Sequence, residues 1–191
     1  MIAQQGVAGL ILAAGGGRRF GSPKAPYRFD GERLVDRAVK TLIAGGCDPI
    51  VVVLGAWVGS VPDAQIVVNE DWEVGLSTSL TCGIQWMHEQ AGIESALIVL
   101  VDTPSMTQES VDRVRRAAGS LVVSRYGDRW GHPVRISRNH WEALANFVSG
   151  DEGARRYLQR HVEELTMLDA DESEMPTDID YRLPPAQSDG Q

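Results

Sequence analysis

Cysteine, lysine and long apolar runs are what this sequence has least of. Its two cysteines, Cys47 and Cys82, form no Cys-x-x-Cys pair and are too few for a disulfide framework or a structural zinc site. Two reduced interior thiols are expected instead. No apolar run reaches the roughly 18 residues of a membrane span, and the first residues lack the basic-then-apolar pattern of a secretory leader. A soluble, cytoplasmic protein without membrane contact is the resulting expectation. With 43% hydrophobic, 23% charged and only 6% aromatic residues, the composition excludes wholesale disorder, collagen-like repetition and coiled coil. At 191 residues the chain suits one core, since single cores stop growing at roughly 250 to 300 residues. We expect one domain over residues 1–183 and a mobile tail at 184–191, where Pro184 and Pro185 follow an acidic stretch.

Charge is distributed in blocks. The net charge is -8, but residues 1–40 carry +4, residues 41–112 carry -10 with no Lys or Arg, residues 113–168 carry +4 and residues 169–191 carry -6. An acidic total argues against backbone-driven nucleic-acid binding, whereas a local basic cluster still suits a small anion. Of the 18 basic residues only two are lysines, and one of them, Lys24, lies in the most glycine-rich loop.

Short apolar runs alternate with helical periodicities. Val7 to Ala13, Ile50 to Leu54, Gln65 to Val68, Ala96 to Val101, Leu121 to Ser124, Pro133 to Ile136 and Thr166 to Leu168 read as strands. Helices are expected over Leu34 to Ile43, ended by Gly45 and Gly46, and from a cap at Ser77 or Ser79 to about Gln90. Further helices are expected over Gln108 to Ala118, Asn139 to Val148 and Gly153 to His161. This alternation predicts an α/β fold, a doubly wound, mostly parallel sheet with helices on both faces. Ligands bind such sheets outside the carboxyl ends of the strands, which puts the Gly15 to Lys24 loop and Asp102 on one edge.

Leu12-Ala13-Ala14-Gly15-Gly16-Gly17-Arg18-Arg19-Phe20-Gly21-Ser22-Pro23-Lys24 is the stretch richest in chemistry. Glycines after a strand let backbone N–H groups approach a phosphate, and Arg18, Arg19 and Lys24 add positive charge. It is not a P-loop, because Ser22 follows Gly21 where Lys must stand, nor a dinucleotide fingerprint, because Phe20 takes the third glycine position. Taken alone, it reads equally as a glycine-rich turn with solvated arginines. Asp102 ends an apolar strand and could hold a hard cation against that phosphate, Mg²⁺ above all, although a capping or turn aspartate explains it as well. Asn69 to Leu80, with Gly75 and the hydroxyls of Ser77 and Ser79, suits hydrogen bonding to a nucleotide or simple helix capping. His132 is the one histidine flanked by turn residues; His88, His140 and His161 are expected at the surface. No Ser-His-Asp or Cys-His context appears.

These stretches, with Val101-Asp102-Thr103-Pro104, Gly131-His132-Pro133-Val134, Ser149 to Arg155 and Asp178-Ile179-Asp180, resemble the molybdenum cofactor nucleotidyltransferases, which attach a nucleotide to molybdopterin. The resemblance runs from about Ala8 to Asp180 and implies a Rossmann-like fold of the nucleotide-diphospho-sugar transferase, or GT-A, type. Ala13-Ala14-Gly15 and the Gly-His-Pro-Val stretch look more like the cytidylyltransferase than the guanylyltransferase branch, so CTP is favoured over GTP.

What the resemblance implies is a Mg²⁺-dependent transfer of CMP to a phosphorylated acceptor, molybdopterin, with release of pyrophosphate. It assigns Leu12 to Gly17, Arg18 and Lys24 to the triphosphate, with Lys24, Arg18 and Asp102 catalytic. Asp102 and Asp180 are the expected metal ligands. Asn69, Gly75, Ser77 and Ser79 are expected near nucleotide or acceptor, and His132 near the acceptor. A molybdoenzyme partner is also implied. The chain departs from the pattern at Val101, at Thr103, at Ala25-Pro26-Tyr27 and after Asp180. Two alternatives therefore stand beside it: transfer to a sugar phosphate or other small phosphorylated metabolite, and a non-catalytic nucleotide-binding maturation factor for molybdoenzymes.

Overall fold

A computed structural model describes residues 6–181; the expected tail at 184–191 lies outside the described residues. One sheet holds seven strands in the spatial order β5 (Gln65–Val68), β4 (Ile50–Leu54), β1 (Gly6–Leu12), β6 (Ile93–Leu100), β8 (Arg129–Ser137), β7 (Leu121–Tyr126) and β9 (Leu165–Ala170). All neighbours pair in parallel except that β8 runs antiparallel to both β6 and β7. A small antiparallel hairpin, β2 (Arg28–Phe29) with β3 (Glu32–Arg33), stands apart.

Alternation along the strands sends side chains to two cores. Leu10, Val51 and Val53 pack on one face against α2 (Leu76–Glu89), α4 (Trp141–Phe147) and α5 (Arg155–Arg160), through Leu80, Met87, Trp141 and Tyr157. Ile11, Val52 and Leu54 pack on the other against α1 (Leu34–Ala44) and α3 (Gln108–Arg116), through Leu34, Val39, Leu42 and Val111. Each fully buried side chain of this size contributes roughly 1.5–3 kcal/mol, so the period-2 strands and 3.6-period helices specify the layers together. Buried Arg135 on β8 adds a polar tie: it donates to the carbonyls of Arg115, Ala117 and Gly119 at 2.7–2.8 Å, satisfying the end of α3.

Three expectations need correction. Ser77 and Ser79 do not cap α2 but lie buried inside its first turn; the cap is Gly75, whose φ of 139° is open to glycine alone. His140 is not a surface residue. It is buried, with Nδ1 3.0 Å from the Tyr157 hydroxyl and Nε2 3.1 Å from Ser120 Oγ, because the segment after β8 folds back onto the sheet. Of the two thiols expected inside, Cys47 is buried and Cys82 only half-buried.

The chain winds from β1 outward through β4 to β5, then returns to the other side of β1 as β6. That reversal is a topological switch point, where neighbouring loops part and leave a crevice. Leu12 pairs with Leu100 in register, so the loop after β1 and the turn after β6 leave the sheet side by side.

Candidate functional site

The loop after β1 keeps its amides free. Among the described residues, the N–H groups of Gly15, Gly16 and Gly17 make no hydrogen bond, and Gly15 is exposed. Gly17 has φ 62°, and a Cβ there would strike the Ser22 carbonyl; at Gly16 it would lie 2.9 Å from the Trp72 ring. Trp72 thus packs on the loop and holds its shape. Phe20, in the position a dinucleotide fingerprint gives to glycine, is buried and meets Tyr27 edge-on at 4.7 Å. The result is a turn of three successive unpaired donors beside exposed Arg18 and Arg19, the arrangement that attracts phosphate oxygens.

Lys24 closes the loop onto the neighbouring strand. Its ammonium donates to Asp102 Oδ2 at 2.7 Å and lies 3.7 Å from Asp180 Oδ1. Asp180 arrives on an extended strap that runs back across the carboxyl edge of the sheet, anchored by Ile179 N–H on the Asp102 carbonyl at 3.0 Å and Thr177 N–H on Ser105 Oγ at 2.9 Å. Arg19 reaches Asp180 as well, at 3.7 Å. Gly15 to Arg19, Lys24, Trp72, Gly75, Ser79, Asp151 and Asp180 line a cleft of about 400 Å³.

A second cavity of about 320 Å³ adjoins it, with Leu76 in the wall of both. Its lining is mostly apolar, including Leu12, Leu80, Ile98, Trp130 and Leu158, with Thr103, His132, Arg155 and Asp178 as polar exceptions. His132 Nδ1 lies 3.1 Å from the Ile98 carbonyl, which can only accept, so Nδ1 carries the proton and Nε2 is left as an acceptor. Enclosure holds the imidazole below its usual range, against the opposing pull of that hydrogen bond and of Asp102. Asp178 moves the other way: loss of water on its inner side, then the charges of Asp102 and Asp180, push its carboxyl up although its outer edge is exposed. Two residues apart on the strap, Asp178 joins the apolar cavity while Asp180 joins the glycine-loop cleft; in a regular strand the two would share a face, so the strap twists between them.

The residues singled out in the sequence divide three ways. Gly15, Gly16, Gly17, Arg18, Lys24, Gly75, Ser79 and Asp180 meet at the first cleft, with Asp102 held through Lys24. Leu12 and His132 line the second cavity. Ala13, Ala14, Asn69 and Ser77 line neither. Asn69 is buried and fully engaged, its amide donating to Thr78 and Ser79 at 2.9 and 3.0 Å and its oxygen accepting from Asp71 N–H at 3.0 Å; it staples the turn before α2 rather than facing a ligand. Ser77 N–H bonds the Gly150 carbonyl at 3.0 Å, which ties the Ser149 to Arg155 stretch to the start of α2. Trp130 escaped the sequence reading, and Trp72, Asp151 and Asp178 entered it only within longer stretches, without a site role of their own. Only Asp178 carried a signal, its two-residue spacing from Asp180.

No group of three or more His, Cys, Asp or Glu gathers as a metal site among the described residues. Two carboxylates converging on one ammonium nevertheless fit Mg²⁺, which takes oxygen ligands from one or two carboxylates and completes its shell with phosphate and water. No helix of the described residues is long and apolar enough to cross a membrane.

Comparison with known proteins agrees with this geometry. The MobA-like NTP transferase domain matches residues 9–165. Nicotine blue oxidoreductase of Paenarthrobacter nicotinovorans is 34% identical, over 93% of this chain and 96% of its own length. A probable molybdenum cofactor guanylyltransferase of Opitutus terrae is 28% identical, over 64% of this chain and 61% of its own. The crystal structure of Rv0371c from Mycobacterium tuberculosis H37Rv superposes with a TM-score of 0.79 at 23% identity, covering 94% of this chain and 95% of that one. The seven-stranded, mostly parallel sheet, the phosphate-type loop at its switch point and the family match agree: the chain is a Rossmann-like nucleotidyltransferase and belongs to the MobA-like NTP transferase family.

Proposed function

We propose that the protein transfers CMP from CTP to a phosphorylated acceptor, molybdopterin, with Mg²⁺ and release of pyrophosphate. The observation that carries this reading is the meeting of three unpaired loop amides, Lys24 and the Asp102–Asp180 pair in one cleft. The amides of Gly15 to Gly17 with Arg18 would bind the triphosphate, and Lys24 would oppose the charge that gathers on the leaving pyrophosphate. Mg²⁺ held by Asp102 and Asp180 would supply further neutralisation of the phosphate oxygens. An acceptor phosphate attacks the α-phosphorus in line, so no protein nucleophile is required, and the chain's task is to position two anions.

The second cavity is the natural place for the acceptor's body. Its apolar walls and few polar groups suit a flat ring system better than a polyhydroxylated sugar phosphate, whose hydroxyls would lose water without gaining partners. The preference for CTP rests on Ala13-Ala14-Gly15 and on the Gly131 to Val134 stretch. A nucleotide-binding maturation factor without turnover would use Lys24 on the phosphates but would not need a metal carboxylate opposite them, so Asp102 favours catalysis.

The relative named as an oxidoreductase supports a second reading, in which the same cleft holds a pyridine dinucleotide and the apolar cavity an aromatic compound to be reduced. One pair of experiments separates the two. Thermal stabilisation by CTP, GTP, ATP, UTP and NADPH, each with and without Mg²⁺, should show the largest Mg²⁺-dependent shift with CTP. Pyrophosphate release with molybdopterin should then vanish in Asp102→Asn while nucleotide binding survives. A shift with NADPH alone, and no pyrophosphate from any triphosphate, would move the assignment to the oxidoreductase.

A further inference from the structure

We propose that Lys24 stands in for the divalent cation: in the nucleotide-free protein its ammonium occupies the space between Asp102 and Asp180, and the metal site opens only when a triphosphate draws Lys24 away. This rests on the nucleotidyltransferase reading and adds an order of binding to it.

Distance and exposure both favour the contact. Lys24 Nζ lies 2.7 Å from Asp102 and 3.7 Å from Asp180, and the two contacting side chains in the tighter pair are only 14% and 21% exposed. Little water competes there, so the ammonium compensates the carboxylates well. A dication approaching the same oxygens would meet a positive charge already within hydrogen-bonding distance of them. Without nucleotide, metal binding must therefore break this pair and leave Lys24 uncompensated.

A triphosphate changes that balance. Lys24 lines the same cleft as the free amides of Gly15 to Gly17 and the exposed guanidinium groups of Arg18 and Arg19. A polyanion bound at the amides offers Lys24 a partner within the sweep of its four-carbon stem. The strap does not depend on Lys24 to stay in place, because Ile179 N–H bonds the Asp102 carbonyl and Thr177 N–H bonds Ser105. The two carboxylates therefore stay close after the ammonium leaves. Charge is matched at each stage: ammonium with carboxylates before the nucleotide arrives, ammonium with phosphate and metal with carboxylates afterwards.

The test uses Mn²⁺ alone, followed by the electron paramagnetic resonance signal of the free ion, in low salt at neutral pH with no nucleotide. Lys24→Met keeps the length of the side chain and removes its charge. It should bind Mn²⁺ at least tenfold more tightly than wild type, and Lys24→Met combined with Asp102→Asn should lose that gain. Lys24→Gln, which keeps a polar tip, serves as the second variant and should show the same direction. Equal Mn²⁺ affinity in wild type and both folded variants would overturn the proposal. Failure of the transferase reading is read separately, as absence of pyrophosphate release by wild type with any of the four nucleoside triphosphates.

Discussion

Gly15 and Gly17 stand two residues apart and meet an added methyl group in opposite ways. At Gly15 a Cβ would have nothing within 4 Å, whereas at Gly17 it would strike the Ser22 carbonyl with φ already at 62°. Gly17→Ala should therefore cost about 1–3 kcal/mol of stability through backbone strain. Gly15→Ala should melt within about 0.5 kcal/mol of wild type, as an open position does. Its methyl group would nevertheless crowd the face where a phosphate approaches, so the dissociation constant for CTP should rise about tenfold, roughly 1.4 kcal/mol. Calorimetric melts and a binding titration on the two variants check both outcomes; unchanged CTP affinity in Gly15→Ala would remove the loop from the site. At this scale residue type pointed to Lys24 and Asp102, which the fold brings within 2.7 Å of each other, and gave no hint that Asn69 and Ser77 line neither cavity. A polar side chain beside a phosphate-type loop looks available in sequence, yet the three partners of Asn69 come from the turn and helix around it. Nothing in its own identity reveals that they are already engaged.

Among the elements, α3 has its carboxyl end held by a single distant side chain. Arg135 donates three hydrogen bonds to carbonyls at and beyond its carboxyl end, and enclosure lowers the guanidinium below its ordinary range. Arg135→Met would remove three charge-assisted bonds and leave the carbonyl of buried Arg115 unpaired, a loss of about 3 kcal/mol. Urea denaturation should show the midpoint fall with the slope unchanged; a loss below about 0.5 kcal/mol, the range of ordinary surface changes, would mean water replaces the guanidinium. Strand and helix positions were largely legible: β4 and β5 match their expected bounds, and α1 ends where Gly46 turns with φ 84°. Both hairpins were missed. Asp30 and Gly31 join β2 to β3 with positive φ at both residues, the sign of a type I′ turn. Gly127, the first of two loop residues between β7 and β8, has φ 60°, as a type II′ turn requires. The strand residues beside these turns, Arg28 and Phe29 with Glu32 and Arg33, and Arg125 and Tyr126 with Arg129 and Trp130, carry charge and form no apolar run, so they did not read as strands; the reversal of β8 follows from the second turn. Strand direction is set by connection length, not by the composition of the strand.

For the whole molecule, acid sensitivity should begin with a histidine far from the cleft. His140 is buried, and both ring nitrogens face hydroxyls, Tyr157 and Ser120, which satisfy a neutral imidazole. Burial is the largest influence and lowers its pKa; Glu164, 3.9 Å away and exposed, pulls upward, and His161 adds to the lowering. The unfolded chain takes up its proton near 6.5, the native protein only at lower pH. Above pH 6.5 both states are neutral and His140 makes no pH-dependent contribution. As pH falls below 6.5 the unfolded state binds a proton that the native state refuses, so stability declines with a limiting slope of about 1.4 kcal/mol per pH unit until the native value is reached. Carboxylates act later and with the same sign: Asp112 and Asp169, lowered by Arg115 and Arg125, stabilise above their ordinary value of 3.8 and lose that help only below it. Their exposure keeps the effect small. Melting temperature measured from pH 7.5 to 5 therefore reads chiefly the histidines, His132 contributing with the same sign as His140, while Asp178, whose carboxyl is raised, works against the decline as pH falls. His140→Gln should flatten the decline without abolishing it. An identical decline in wild type and His140→Gln would show that Glu164 offsets burial, so that the native imidazole titrates as it does in the unfolded chain.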